Sequence, residues 1–204
     1  MVKAQMRKTG KIFDTKTMVT TGMMIALTIV MMTTPLGTIR LPVVSITVAH
    51  IPILIAALTM GLYPGIVVGL AFGLSSLFVA LTSPASILDP LFVNPLVSVL
   101  PRVLIPITTY FSYKGLDRLF GKTKKGNVAA VGISVAIGNL TNTFGVYTML
   151  YLIYAQRILE ESGTPAINMI IAAISTTTLW KCIGVVLITT PVVIGLRRAL
   201  RYSR

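Results

Sequence analysis

Apolar residues along this chain gather into six blocks, each bounded by short polar, proline-bearing or glycine-bearing segments. Most blocks run for about 20 residues, the length that crosses a bilayer as an α-helix. The pattern predicts spans over about 17–36, 43–60, 63–82, 95–114, 127–153 and 168–196. The stretch "GLYPG" (Gly61–Gly65) reads as a turn between spans 2 and 3. "TSPASILDPLFVNP" (82–95) reads as a longer proline-rich loop. "GLDRLFGKTKKGN" (115–127) and "YAQRILEESGTPA" (154–166) read as the last two connections. The expected fold is an all-α membrane protein of six transmembrane helices, with a polar tail at 1–16, a membrane domain at 17–196 and a basic tail at 197–204. No pair of matching halves is evident in the sequence.

Composition agrees with the pattern. Hydrophobic residues make up 54% of the chain and charged residues 11%, where a soluble domain carries about a quarter charged. The net charge of +13 raises nucleic acid as a partner, but the distribution excludes it. The basic residues form three clusters, each against an apolar block: Lys3 to Lys16, Lys114 to Lys125, and Arg197 to Arg204. No aromatic-interleaved basic patch accompanies them. With the N-terminus inside, the inner segments hold 14 Lys/Arg and the outer loops hold 2, Arg40 and Arg157. That asymmetry predicts both termini in the cytoplasm. The single cysteine, Cys182, excludes an internal disulfide. The basic start followed by an apolar block resembles a secretory signal, but no small-x-small cleavage site follows, so it reads as a retained first span.

Two basic residues remain inside spans, Arg102 and Lys181. None of the five acidic residues falls within a predicted span. A cation at mid-membrane costs at least about 2.5–3.5 kcal/mol, so something must compensate it. Asp89 or backbone carbonyls are one possibility for Arg102, and snorkelling to the interface is one for Lys181. The other is an anionic ligand that brings the negative charge from outside. Arg102, with its planar fork, suits a carboxylate. Counting about 1.5 Å per residue along each span puts Arg102, Lys181, Asn139, Asn142 and His50 in the outer half. Asn139 and Asn142 share a helix face. Trp180 and Tyr147 are further candidates as pocket walls or as members of the interfacial aromatic belt. Arg40, after span 1, is a candidate to close over a ligand.

Several chemistries lack their parts. The spans hold no carboxylate relay for proton coupling, His50 being the only such group. A general acid–base pair and a zinc-protease signature are both missing, so the chain is not expected to be an enzyme, and no cofactor or metal is expected. "GLDRLFGKT" (Gly115–Thr123) imitates a phosphate loop, yet has five residues rather than four before its Gly-Lys-Thr and follows a membrane span instead of a strand. ATP, if used, is bound by another chain.

Three features carry a family resemblance: "SILDPLFVNPLVSVLPRVLI" into span 4, "IGNLTNTFGVY" in span 5, and the small pair Gly22/Ala26 in span 1. With six spans and a basic inner face, the chain resembles a substrate-binding S component of an energy-coupling-factor (ECF) vitamin transporter, most closely the pantothenate branch. The resemblance implies a multi-pass protein of the bacterial cell membrane. It implies a vitamin held by spans 4 to 6 under the loop that follows span 1, and it adds Asn94 to the candidate ligand-binding residues. Gly22 and Ala26 would face a transmembrane coupling subunit driven by two ATPase subunits, with the S component toppling in the membrane. Here glycine replaces the family's first alanine. The implied function is capture of a small anionic vitamin, pantothenate favoured. Hydroxymethylpyrimidine, pyridoxine or folate as substrate, or a self-sufficient secondary carrier, are the alternatives.

Overall fold

Long apolar segments have no solvent for their backbone groups in lipid, so they close their hydrogen bonds internally as helices. The computed structural model describes residues 15–34, 37–39, 46–84, 89–120, 123–162 and 165–202. Its helices are α1 (Thr15–Thr33), α2 (Ile51–Thr59), α3 (Leu62–Thr82), α4 (Pro95–Ser98), α5 (Leu100–Phe120), α6 (Lys124–Ser162) and α7 (Ala166–Tyr202). A 3-10 turn, Asp89–Val93, precedes α4. Between α1 and α2 lies a two-strand ribbon, β1 (Thr38–Ile39) antiparallel to β2 (Ile46–Thr47), with Thr38 opposite Thr47. Counting α4 and α5 as one pass gives six helical segments, and the all-α membrane architecture expected from the sequence is the one observed.

The second predicted span is the main correction. Residues from about 43 to 60 do not form one spanning helix. Ile46–Thr47 belong to the ribbon, and α2 is 9 residues long. At about 1.5 Å per residue it covers less than half of a bilayer core of about 30 Å. β-branched residues in "VVSITV" favour extended backbone, and Pro52 in the first turn of α2 fixes where the helix begins. Every residue from Ile51 to Leu58 is buried. A helix that is apolar all round is a core element, and α2 forms the centre of the bundle with Val68, Phe72, Ile105, Val135 and Val185 around it. Among the described residues five other stretches are long and apolar enough to cross a membrane: Thr15–Thr33, Leu62–Thr82, Pro95–Phe120, Lys125–Gln156 and Thr178–Ala199.

Two predicted connections are also shorter than expected. α5 continues to Phe120 and α6 starts at Lys124, so most of 115–127 is helical. The stretch 154–166 is helical to Ser162 after a break at Tyr154 (φ −127°, ψ 16°). The expected turn over Gly61–Gly65 narrows to a break at Gly61, which adopts φ +107°, a region glycine occupies without steric cost, while Leu62 to Gly65 already belong to α3.

Glycines bring α3 against α5. A Cβ on Gly69 would stand 2.7 Å from the Arg102 carbonyl oxygen, and one on Gly73 would stand 2.8 Å from the Val99 Cα. Only the absence of side chains permits this approach. At the end of the bundle that the charge count places inside, a polar network joins four helices. Arg197 of α7 donates Nε–H to the Leu58 carbonyl at 2.9 Å and Nη1–H to the Tyr113 hydroxyl at 2.6 Å. Asn127 of α6 donates to Tyr113 Oη at 3.2 Å and to Asp117 Oδ1 at 3.0 Å. Arg197 thereby satisfies the Leu58 carbonyl, one of the C-terminal carbonyls that an isolated helix end leaves unsatisfied.

α1 lies at the periphery. Of its residues only Thr21 and Thr28 are buried, while Gly22 and Ala26 are exposed.

Candidate functional site

Arg102 sits between two prolines, and each proline changes what the guanidinium meets. Pro101 has no N–H, so the helix cannot satisfy the Val97 carbonyl four residues earlier. Arg102 Nη1 donates to that carbonyl at 2.6 Å. Pro106, four residues after Arg102, likewise leaves the Arg102 carbonyl without its helical donor. Gly69 of α3 lies directly against that oxygen, where a Cα–H contact is available. The two prolines thus create the local slack that an arginine at this depth requires.

The side chain is 3% exposed. Its Nη2 donates weakly to Ser76 Oγ at 3.5 Å. The Phe72 and Phe92 rings flank the guanidinium, with centroids 5.5 Å and 5.2 Å from Cζ, a cation–π geometry. Nε has no partner. Among the described residues no carboxylate contacts Arg102; its partners are a carbonyl, a hydroxyl and two rings. The expected pairing alternatives therefore resolve to backbone carbonyl support rather than Asp89.

Around Arg102 lies a group of buried polar atoms without hydrogen-bond partners. His50, at the start of α2, is fully buried, and both ring nitrogens are unpaired. Asn139 of α6 is fully buried with its amide nitrogen and oxygen both unpaired, and Asn142 Oδ1 is unpaired as well. The Asn139 amide neighbours the His50 imidazole, and the charges of Lys181 and Arg102 both reach His50. Lys181 is partly buried and lies within electrostatic reach of Arg102. Four helices, α2, α5, α6 and α7, therefore bring together His50, Arg102, Asn139 and Lys181. Asn142 stands on the same face of α6 as Asn139, one turn further along.

The other candidates sit elsewhere. Asn94 caps α4: its Oδ1 accepts from the Leu96 N–H at 3.0 Å and its Nδ2 donates to the Tyr154 hydroxyl at 3.3 Å. It ties the outer connection to the break in α6. Tyr147 is buried beside Leu91, Val97 and Leu150 in a second apolar cluster. Trp180 is 79% exposed, which removes it from the pocket wall and suits a ring at a membrane surface. Arg40 lies outside the described residues. Ser76, Phe72 and Phe92 are the partners that sequence reasoning missed. Ser76 had a signal: it follows Gly73 by three residues on the ridge of Gly65, Gly69 and Gly73.

Five membrane-length apolar helices around a buried short one define a multi-pass membrane protein. Comparison with known families is more specific. The family model described as "ECF transporter, substrate-specific component" matches residues 16–193, and the chain belongs to that family of transporter components. It is also 29% identical over 171 residues to the "Pantothenic acid transporter PanT" of Lactococcus lactis subsp. cremoris (strain MG1363), an alignment covering 77% of this chain and 80% of that protein.

Proposed function

We propose that this chain is the pantothenate-binding S component of an ECF importer in the bacterial cell membrane, and not an enzyme. It captures the vitamin on the outer side. A transmembrane coupling subunit and two ATPase subunits then drive delivery inward. The observation that carries the reading is the set of buried, unpaired polar atoms on His50, Arg102, Asn139 and Asn142. Each such atom in a dry interior costs on the order of 1–3 kcal/mol. A ligand that supplies the missing partners recovers that cost on binding.

Pantothenate has the matching groups: one carboxylate, one amide and two hydroxyls. Arg102 takes the carboxylate, a charge-assisted contact of the stronger kind. Asn139, Asn142 and His50 offer donors and acceptors to the neutral body. Lys181 adds positive potential, and the relative named as a pantothenic acid transporter favours this vitamin over other small anions. Tyr147 and Asn94 shape the outer wall. On this reading Arg40 belongs to the outer loop that covers the ligand. Gly22 and Ala26, open on the periphery, form the surface for the coupling subunit.

The test is isothermal titration of the purified chain against a panel of B vitamins. Pantothenate should bind, and Arg102→Ala should weaken it by about 10- to 100-fold, the loss of a charged hydrogen bond. Tight binding of a neutral vitamin instead, or unchanged affinity in the variant, would reject the assignment.

A further inference from the structure

α7 presents one face to the bundle, marked by buried Thr178, Val185, Thr189 and Val193. Lys181 lies three residues after Thr178 and four before Val185, so it stands on the same face. Leu179 and Trp180, between them in sequence, are 70% and 79% exposed and mark the opposite face. Val185 belongs to the core built around α2. Thr178 is therefore the next inward-facing position beyond Lys181 toward the outer end. It is 7% exposed, and its hydroxyl has no hydrogen-bond partner.

Thr189 and Thr190, further along α7, share that lack of a partner, but they stand about two turns from Lys181, and Thr178 stands within one. Buried threonines on other helices donate to a carbonyl one turn back: Thr28 to Met24, Thr109 to Ile105, Thr143 to Asn139. The Thr178 hydroxyl makes no such bond, although the local route is open to this residue type. It is left with an unused donor and an unused acceptor on the face of α7 that carries Lys181.

We infer that Thr178 is a substrate-binding residue that, together with Lys181, reads a hydroxyl group of the ligand. The inference rests on the proposed site. An ammonium only donates, whereas a threonine hydroxyl does both. A ligand hydroxyl engages the two at once: its oxygen accepts from Lys181 Nζ, and its O–H donates to Thr178 Oγ1. The substrate class narrows to a carboxylate with a hydroxyl at its other end. A site built to hydrogen-bond a substrate hydroxyl rejects the analogue that lacks it, because its own buried polar groups are then left unpaired.

The test is a double-mutant cycle on the full chain in detergent, by titration with pantothenate and with its analogue in which hydrogens replace the hydroxyls. Thr178→Val keeps the shape and removes the hydroxyl, and Thr178→Ser keeps the hydroxyl. Thr178→Val should weaken pantothenate about 10-fold and leave affinity for the analogue unchanged. Thr178→Ser should bind pantothenate within about 3-fold of the parent. Equal weakening of both ligands in Thr178→Val makes Thr178 structural and overturns the inference, as does no weakening of either. Failure of the parent protein to bind pantothenate at all removes the proposed site itself, and the inference with it.

Discussion

Arg102 and Asn139 are buried for opposite reasons, and a substitution at each separates stability from binding. Arg102 has a carbonyl and two rings around it even without ligand, so its removal affects both properties. Asn139 has only the His50 imidazole as a polar neighbour, and both ends of its amide are buried and unpaired. An asparagine kept only for the fold should be replaceable only at a loss. Asn139→Leu, branched alike and apolar, should instead raise the thermal midpoint of the ligand-free protein by a few degrees, since about 1–3 kcal/mol of unsatisfied amide disappears. The same variant should lose most of its vitamin affinity. A lowered midpoint would show that Asn139 supports the fold through partners not seen here. At this scale the cations were legible in the sequence because a charge in an acid-free apolar block has no local answer. Thr178 was not, because a threonine in a membrane helix ordinarily bonds its own backbone, and only the three-dimensional arrangement shows that this one does not.

At the scale of elements, glycine serves two different purposes, and side-chain additions tell them apart. Gly69 lies against the Arg102 carbonyl, so a methyl group there must push α3 from α5. Gly69→Ala should destabilise the protein by about 1–3 kcal/mol, as overpacking does. Because the displaced segment carries Arg102, affinity should fall with it. Around Gly22 an added Cβ meets nothing within 4 Å. Gly22→Leu should therefore leave thermal stability and vitamin binding intact while blocking uptake in cells that carry the coupling subunits. Loss of binding in Gly22→Leu would return α1 to the packed bundle. Element order followed from hydrophobic block length, and the break at Gly61 from the glycines and proline of "GLYPG". The shortness of α2 did not. Apolar length alone cannot distinguish a spanning helix from a ribbon followed by a buried half-helix, since both are continuously apolar. The helical continuation through 115–120 and 155–162 was hidden for a related reason: outside lipid, polar composition no longer marks a helix end.

For the whole molecule, the decisive question is where energy enters. A carrier that runs on a proton gradient needs a relay of ionisable groups through the membrane layer. Among the described residues that layer holds Arg102, Lys181 and His50 and no carboxylate, and the chain has five acidic residues in all. Two basic side chains beside one histidine, with no carboxylate to relay through, make a poor proton wire but a good anion trap, because their potential favours the ligand on its approach. The bundle is moreover closed at its inner end by Arg197, Tyr113, Asp117 and Asn127. On the proposed reading, in which the ligand enters from the outer side, such a chain binds without transporting. The purified chain, reconstituted alone into vesicles, should therefore retain pantothenate binding and show no accumulation under an imposed proton or sodium gradient. Adding the coupling subunit and its two ATPases with ATP should start uptake. Gradient-driven accumulation by the chain alone would make it a self-sufficient carrier. The exposed face of α1 would then be a lipid surface and not a docking site.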